Sequence, residues 1–268
     1  MKPLIIALCA MGFALGFDFT ASAQTNSTVA PSAPAAPTPA TPLKLPEPLS
    51  TTKPDNTRYL NNPGLLTGCQ AQLAAFSDKP CDIIFIGDSI TAGWLGAGRA
   101  VWDKYYAPRH ALDFGVSGDK TQNVLWRLNN MDIQNLKPKV AVVMIGTNNL
   151  TNDPHEIADG VKAVLANTQE AFPGVKIILV SITPNARAQD KMMQADSLIK
   201  SLADNSTVFF LDLVPLMPEV TTPNLDGTPP DKNWKGLSHD RLHPDATGYQ
   251  IWADAMEPLL TKLLAGGN

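Results

Sequence analysis

The chain has 268 residues, of which 44% are hydrophobic and 17% are charged, and these proportions are ordinary for a soluble globular protein. Its formal net charge is −4, and no cluster of lysine and arginine occurs along it. Both observations argue against a protein that binds nucleic acid.

The first residues have the pattern of an export signal. Lys2 precedes an apolar stretch over residues 4–17, and Ala21-Ser22-Ala23 has the small-x-small form of a cleavage site. The apolar stretch is shorter than the roughly 20 residues that span a bilayer. We therefore predict a signal peptide over residues 1–23, cleaved after Ala23. The mature protein is then secreted or periplasmic and has no stable membrane span, and an uncleaved amino-terminal anchor is the alternative.

A low-complexity segment follows over residues 24–56. Eight of the 23 prolines fall between Pro31 and Pro54, and no aromatic residue occurs between Thr20 and Arg58. Such a segment has too little apolar surface to order itself, so we predict an extended, disordered linker. It is either a tether or a remnant of processing. One domain of ordinary size is expected over residues 57–268.

Within that domain, short β-rich runs alternate with longer helical patterns. Five apolar runs, most of them continuous, predict strands at Asp82–Gly87, Ala111–Gly115, Val140–Gly146, Val175–Ile182 and Val208–Leu213. Helical spacing predicts helices at about 121–131, 155–172, 188–204 and 246–264, the last kinked or split by Pro258. This alternation predicts an α/β fold: a three-layer α/β/α, flavodoxin-like domain with a five-stranded parallel sheet.

Three polar turns follow predicted strands directly. Ser89, Gly118 and Asn148 each lie just past the carboxyl end of a strand, the edge where ligands gather in parallel α/β sheets. A glycine backbone N–H beside a helix start and an asparagine amide can both stabilise a negatively charged oxygen. Taken singly, each residue is as readily an ordinary turn residue. Their joint occurrence at one edge favours a site.

A histidine near the carboxyl terminus completes this pattern. Asp240 precedes His243 by three positions, so its carboxylate can accept a hydrogen bond from Nδ1 and leave Nε2 to face Ser89. The other three histidines are typical of surface residues or lack a helpful spacing: His110, His155 and His239. The pattern predicts a serine nucleophile, a histidine base and an orienting carboxylate. Such a hydrolase needs no metal and no organic cofactor.

Four sequence blocks carry a family resemblance: Gly87-Asp88-Ser89-Ile90, Gly115-Val116-Ser117-Gly118-Asp119, Gly146-Thr147-Asn148-Asn149 and Asp240-Arg241-Leu242-His243-Pro244. Across residues 80–264 the chain resembles the SGNH (GDSL-type) hydrolases. Residues 118–128 resemble the branch that includes the catalytic subunits of platelet-activating-factor acetylhydrolase and their bacterial relatives. The sequence departs from the family at Ile90, where the family has leucine, and in a longer polar segment over residues 218–238 that affects the pocket wall.

The resemblance implies roles for individual residues. Ser89 corresponds to the nucleophile, His243 to the base and Asp240 to its partner. The backbone N–H groups of Ser89 and Gly118, together with the Asn148 amide, correspond to the oxyanion hole. The implied activity is that of a serine esterase that cleaves short-chain acyl esters, particularly acetyl esters, through an acyl-enzyme.

The substrate is less sharply indicated than the reaction. A small-molecule, lipid or acetylated-glycan ester fits an exported esterase of this branch. A lysophospholipase or thioesterase of the same family is the alternative, and a non-catalytic ligand-binding module is a further one. Trp94, close in sequence to Ser89, is a candidate for the wall of the acyl pocket, although a core position is equally compatible. The oligomeric state is not indicated.

Two cysteines remain after removal of the signal peptide, Cys69 and Cys81. Export exposes the chain to oxidising conditions, which favours a disulfide between them. Two free buried thiols are the alternative.

Overall fold

The computed structural model describes residues 50–222 and 231–266. The predicted signal peptide and most of the predicted linker lie outside this part of the chain. Among the described residues, no helix is both long enough and apolar enough to cross a membrane.

The described residues form seven strands: β1 (Ile83–Gly87), β2 (Ala111–Gly115), β3 (Val140–Met144), β4 (Lys176–Val180), β5 (Val208–Leu211), β6 (Glu219–Thr222) and β7 (Asp231–Trp234). They also form eight α-helices: α1 (Thr57–Asn61), α2 (Pro63–Ala74), α3 (Ser89–Ala92), α4 (Arg99–Tyr105), α5 (Thr121–Asn130), α6 (Pro154–Ala171), α7 (Gln189–Lys200) and α8 (Ala246–Leu264). All the strands and helices predicted from the sequence are present, with boundaries shifted by a few residues.

The first five strands form one parallel sheet in the order β2-β1-β3-β4-β5. In the centre of the sheet, Ile83 pairs with Ala111 on one side and with Val140 on the other. Every residue of β1, β2 and β3 is buried, as expected for strands that are covered on both faces. The sheet confirms the predicted flavodoxin-like order.

Two hydrophobic cores lie on opposite faces of this sheet. Because side chains alternate along a strand, Ile84 and Ile86 face one core, and Ile83 and Phe85 face the other. The first core includes residues of α2, α5, α6 and α7, whereas the second includes residues of α4 and α8. The result is the predicted three-layer α/β/α arrangement.

The second core is rich in aromatic side chains, and Trp94 lies at its centre. Trp94 is fully buried, with its ring 4.7 Å from that of Tyr249, 5.1 Å from that of Trp252 and 5.9 Å from that of Phe85. The prediction that Trp94 lines the acyl pocket is therefore wrong. The short 3₁₀ turn Gly93–Leu95 after α3 places Trp94 in the second core.

Helix α8 runs without interruption through Pro258. Trp252, Met256 and Leu260 are all fully buried on the sheet, on both sides of the proline. Tertiary packing of this apolar stripe keeps the two halves in one helix, because helices in proteins owe most of their stability to such packing. The predicted split at Pro258 is absent.

The ordered domain begins before Thr57. Thr51 is buried, and its carbonyl accepts a hydrogen bond from Thr121 Oγ1 at 2.9 Å. The Asp55 N–H donates to the Gln122 carbonyl at 3.0 Å. Residues 50–56, which the composition assigns to the linker, therefore pack against the start of α5.

Cys69 and Cys81 are both buried free thiols, which corrects the predicted disulfide. Both lie in the first core, Cys69 on α2 and Cys81 just before β1, where its thiol donates to the Ile83 carbonyl at 3.4 Å. Burial raises the pKa of Cys81 to about 12 and also raises that of Cys69, so neither thiol is readily converted to the reactive thiolate.

Candidate active site

Ser89 is the first residue of helix α3, two positions after the last residue of β1. The turn between them requires a glycine at position 87. A Cβ atom on Gly87 would lie 2.3 Å from the Met144 carbonyl oxygen, which excludes any side chain there. Asp88 caps the short helix, because its Oδ1 accepts the N–H of Ile90 at 2.9 Å. This tight turn leaves Ser89 half-buried at the carboxyl edge of the sheet.

A continuous line of polar contacts joins Ser89, His243 and Asp240. The Nε2 atom of His243 lies 2.8 Å from Ser89 Oγ, and its Nδ1 atom lies 2.5 Å from Asp240 Oδ2. Both distances are within hydrogen-bonding range. The structure therefore brings together the three side chains that the sequence selected from positions more than 150 residues apart.

The Asp240 carboxylate also organises its own loop. Its Oδ1 accepts hydrogen bonds from the backbone N–H groups of Leu242 and His243, both at 3.0 Å, and from Ser238 Oγ at 2.8 Å. Burial opposes ionisation here, but the bonds from His243, Ser238 and Leu242 hold the pKa of Asp240 well below its usual range. Asp240 is therefore a carboxylate at neutral pH, and its contact with Nδ1 orients the His243 ring.

The hairpin formed by β6 and β7 contacts this loop and supports it. The two strands are antiparallel, and Asn233 of β7 donates through Nδ2 to the Ser238 carbonyl at 3.2 Å. A bridge between Leu237 and Pro244 and a hydrogen bond from the Ser238 N–H to the His243 carbonyl close the loop on itself. The polar segment over residues 218–238 thus contains a support for the histidine loop.

The predicted oxyanion residues meet around the side chain of Asn148. Gly118 has a φ of +80°, a conformation that favours glycine. The Nδ2 atom of Asn148 lies 3.0 Å from the Asp119 carbonyl and 3.3 Å from Asp88 Oδ2. The Asn148 amide therefore touches the residue before Ser89 and the residue after Gly118, so three strand ends converge at one point.

A buried charged network lies directly beneath the turn at Gly118. Arg127 donates through Nε to Asp119 Oδ2 at 2.9 Å, and both side chains are fully buried. The same guanidinium donates to the Phe114 carbonyl at 2.8 Å and to the Gly87 carbonyl at 3.1 Å. Arg127 therefore ties the ends of β1 and β2 to the Gly118 turn. The Tyr59 hydroxyl joins the network by donating to Asp119 Oδ2 at 2.7 Å.

Burial also affects the acid groups on this side of the site. It raises the pKa of Asp88 to about 7 and raises the pKa of Asp119 despite the adjacent Arg127 guanidinium. These carboxyl groups lie in a poorly solvated environment, in which hydrogen bonds and charges act more strongly than they do in water.

Sequence reasoning missed three residues of this region: Arg58, Tyr59 and Arg127. Arg127 did leave a signal, because it lies on the buried stripe of α5 between Val124 and Leu128, where a charge requires a partner. Arg58 and Tyr59 follow a polar, low-complexity segment, and nothing local to them indicates a distant contact with residues 117–119.

The fold and the site together define a class of protein. A flavodoxin-like α/β/α domain carries a serine, a histidine and an aspartate in one hydrogen-bonded line at the carboxyl edge of its sheet. Among the described residues, no group of three or more His, Cys, Asp or Glu side chains is arranged to hold a metal ion. This is the arrangement of a serine-type hydrolase.

Comparison with known proteins specifies the family. Residues 85–251 match the GDSL-like Lipase/Acylhydrolase family. The chain is 32% identical over 202 residues to the human platelet-activating factor acetylhydrolase IB subunit alpha1. The matched region covers 72% of this chain and 81% of that protein. It is 33% identical over 190 residues to the rat subunit alpha2, and that match covers 70% of this chain and 79% of the relative. The chain belongs to the GDSL-like lipase/acylhydrolase family and is a carboxylic ester hydrolase.

Solved structures agree on the fold. The crystal structure of a GDSL-like lipase from Bacteroides thetaiotaomicron is similar to 73% of this chain and 97% of that one, with a TM-score of 0.58 and 20% sequence identity. An acylhydrolase structure from Bacteroides fragilis has a TM-score of 0.58 at 19% identity, over 75% of this chain and 97% of that one. At these identities the similarity concerns the architecture alone.

Proposed function

We propose that this protein is an exported serine esterase that removes short acyl groups, particularly acetyl groups, from ester substrates. The observation that carries the catalytic part is the line from Ser89 Oγ through His243 to Asp240, with contacts of 2.8 and 2.5 Å. A nucleophile, a base and an orienting carboxylate in hydrogen-bond contact are what acyl transfer through a covalent intermediate requires.

In the first half of the proposed reaction, His243 takes the proton of Ser89 as Oγ attacks the ester carbonyl. The ionised Asp240 stabilises the imidazolium that results. His243 then returns the proton to the departing alcohol, which leaves an acyl group on Ser89. In the second half, His243 activates a water molecule that releases the acid and restores the free serine.

The negative charge that develops on the carbonyl oxygen is held by three donors in this proposal. Two are the backbone N–H groups of Ser89 and Gly118, and the third is the Asn148 amide. The amide has one contact of 3.0 Å with the Asp119 carbonyl and a longer one of 3.3 Å with Asp88. The longer contact is the one that we expect the amide to exchange for the oxyanion, because it is the weaker of the two.

Two observations support a small acyl group and a polar alcohol. The relatives with 32% and 33% identity are named acetylhydrolases. In addition, a pocket of about 390 Å³ adjoins Gly118, and polar side chains such as Asn61, Lys120 and Asn123 line it. These side chains can form hydrogen bonds with a hydroxylated alcohol, such as a sugar or a glycerol unit.

The nucleophile is tested by Ser89→Ala. The variant should lose ester hydrolysis and covalent labelling by a fluorophosphonate, while its circular-dichroism spectrum and Tm stay at the parental values. Continued turnover and labelling would show that another residue is the nucleophile.

The substrate is tested by comparing acetyl, butyryl and octanoyl esters of one alcohol, together with acetylated oligosaccharides. We expect the highest kcat/KM for acetyl esters, because the relatives with 32% and 33% identity are named acetylhydrolases. A preference for octanoyl esters would replace the acetylesterase proposal with a lysophospholipase-like one and leave the catalytic residues unchanged. Export is tested by amino-terminal sequencing of the mature protein, which should begin at Gln24.

A further inference from the structure

Arg58 lies outside the region that matches the family, yet its side chain contacts the proposed oxyanion hole. It belongs to α1, more than twenty residues before the family match begins at residue 85. Its guanidinium lies directly against Gly118, where an added Cβ atom would be 2.6 Å from Arg58 Nη2. The proposed function gives this arginine no role.

The contact is directional. Arg58 Nη2 donates a hydrogen bond to the Ser117 carbonyl oxygen. That carbonyl and the Gly118 N–H belong to one peptide unit, which is planar and trans, so the two groups point in opposite directions. An arginine that holds the carbonyl on one side therefore sets the direction of the N–H on the other side.

The hydrogen bond from Arg58 to the Ser117 carbonyl also makes the Gly118 N–H a stronger donor. A carbonyl that accepts a bond from a charged guanidinium is polarised, and consecutive hydrogen bonds through one peptide group reinforce each other. The Gly118 N–H consequently becomes a better donor to an oxygen that acquires negative charge. A glycine turn with a φ of +80° has little intrinsic rigidity, so an external constraint on its orientation has a real effect.

Arg58 is itself held in place by the buried network. Its Nε atom lies 3.6 Å from Asp119 Oδ1, and its neighbour Tyr59 donates to the other oxygen of the same carboxylate. The Arg58 side chain is 36% exposed, whereas that of Asp119 is fully buried. A small solute can therefore reach the arginine position without unfolding the network.

We propose that Arg58 is a positioning residue that orients and polarises the Ser117–Gly118 peptide, so that the Gly118 N–H stabilises the oxyanion. Helix α1 then contributes a residue that positions the oxyanion hole, although it precedes the family match. This inference rests on the proposed function in one respect, namely that Gly118 supplies an oxyanion donor.

The test uses Arg58→Ala, Arg58→Lys and the matched control Arg99→Ala. Arg99 is also a helical arginine paired with an aspartate, Asp103, but it is well exposed on α4. We expect kcat of Arg58→Ala to fall about 10- to 100-fold, less than the loss of a whole oxyanion donor, with KM within about twofold of the parent. The control should keep the parental kcat.

Two further readouts separate positioning from mere structural support. The affinity for a trifluoromethyl ketone, whose adduct with serine carries an oxyanion, should fall in parallel with kcat/KM across the Arg58 variants. Ethylguanidinium, added at concentrations that leave the Tm unchanged, should restore part of the activity of Arg58→Ala and none of that of Ser89→Ala. Arg58→Lys should be intermediate, because an ammonium group cannot contact both Ser117 and Asp119 as the guanidinium fork does.

Certain outcomes overturn this inference. One is a folded Arg58→Ala variant with the parental kcat, and another is a loss of kcat without weaker binding of the ketone. If Arg58→Ala does not fold, Arg58→Lys carries the same comparison of kcat with ketone affinity. Turnover by Ser89→Ala would instead overturn the proposed function, so the two failures are distinguishable.

Discussion

The two parts of the site around Ser89 differ in how deeply their side chains are buried. On one side, the turn at Gly118 rests on Asp119 and Arg127, whose side chains are both 0% exposed. On the other side, His243 and Asp240 lie on a surface loop with side-chain exposures of 34% and 49%. One half of the site is a buried ionic network, and the other is an exposed pair supported by a hairpin.

The difference corresponds to what each half must do in the proposed reaction. Oxyanion donors act by being oriented before the reaction begins, and a buried network with many fixed hydrogen bonds provides that orientation. The general base must reach the water molecule that attacks the acyl-enzyme, which requires a path from the solvent. Mutation of His243 in the exposed half should therefore affect activity alone, whereas mutations in the buried half should affect stability as well.

The largest effect is expected in the exposed half. His243→Ala should lower kcat by about 10⁴-fold or more, because both proton transfers lose their acceptor. The Tm should stay close to the parental value, since the side chain is partly exposed. Steady-state kinetics and thermal unfolding check both statements, with the exposed His239→Ala as the control. A large drop in Tm would contradict the division between the two halves.

In the buried half, Arg127→Met should lower the free energy of unfolding by about 3–5 kcal/mol. The substitution leaves the buried carboxylate of Asp119 without its main partner, and an unpaired buried charge is strongly destabilising. Urea unfolding measures the effect, and Arg99→Ala in an exposed ion pair serves as the control, with an expected loss below about 1 kcal/mol. Similar losses in the two variants would mean that the network does not support the turn.

Asn148→Ala tests the proposed oxyanion donor that contacts the buried half through the Asp119 carbonyl. We expect kcat to fall by about 10²–10³-fold with a much smaller change in KM, because a donor to the oxyanion acts mainly in the transition state. The Tm should fall slightly, since the contact with the Asp119 carbonyl is lost as well. A change confined to KM would assign Asn148 to ground-state binding.

The smallest expected effect concerns pH. Asp113 is buried in β2, where it accepts the N–H of Gly115 at 2.8 Å, and burial raises its pKa to about 7. A folded-state pKa above the unfolded value means that the folded protein binds the proton more tightly. The contribution of Asp113 to the free energy of unfolding is therefore complete below about pH 4 and is lost as the pH rises to about 7.

Asp113→Asn should remove this dependence. Between pH 5 and pH 8, the free energy of unfolding of the parent should fall by on the order of 2 kcal/mol more than that of the variant. Urea unfolding at the two pH values provides the measurement, and Asp132→Asn, at an exposed position, provides the control. Parallel pH profiles for parent and Asp113→Asn would show that Asp113 does not bind the proton in the folded state.

Much of the fold and of the candidate site could be predicted because the signals are local. The strands are continuous apolar runs and the helices have apolar residues at helical spacing, so each segment specifies its own conformation. The parallel sheet then places the carboxyl ends of its strands at one edge, which brings Ser89, Gly118 and Asn148 near one another without further information. The spacing of Asp240 and His243 is likewise a local property.

The remaining features depend on contacts between residues distant in sequence, and only the tertiary structure decided them. Trp94 lies in the aromatic core because α8 packs beneath the sheet, and no property of its immediate neighbours distinguishes that position from a pocket wall. The same is true of Arg58, whose role arises from a contact with a turn nearly sixty residues away. Sequence by itself determined which groups can react, whereas the packing of separate segments determined which groups hold them in position.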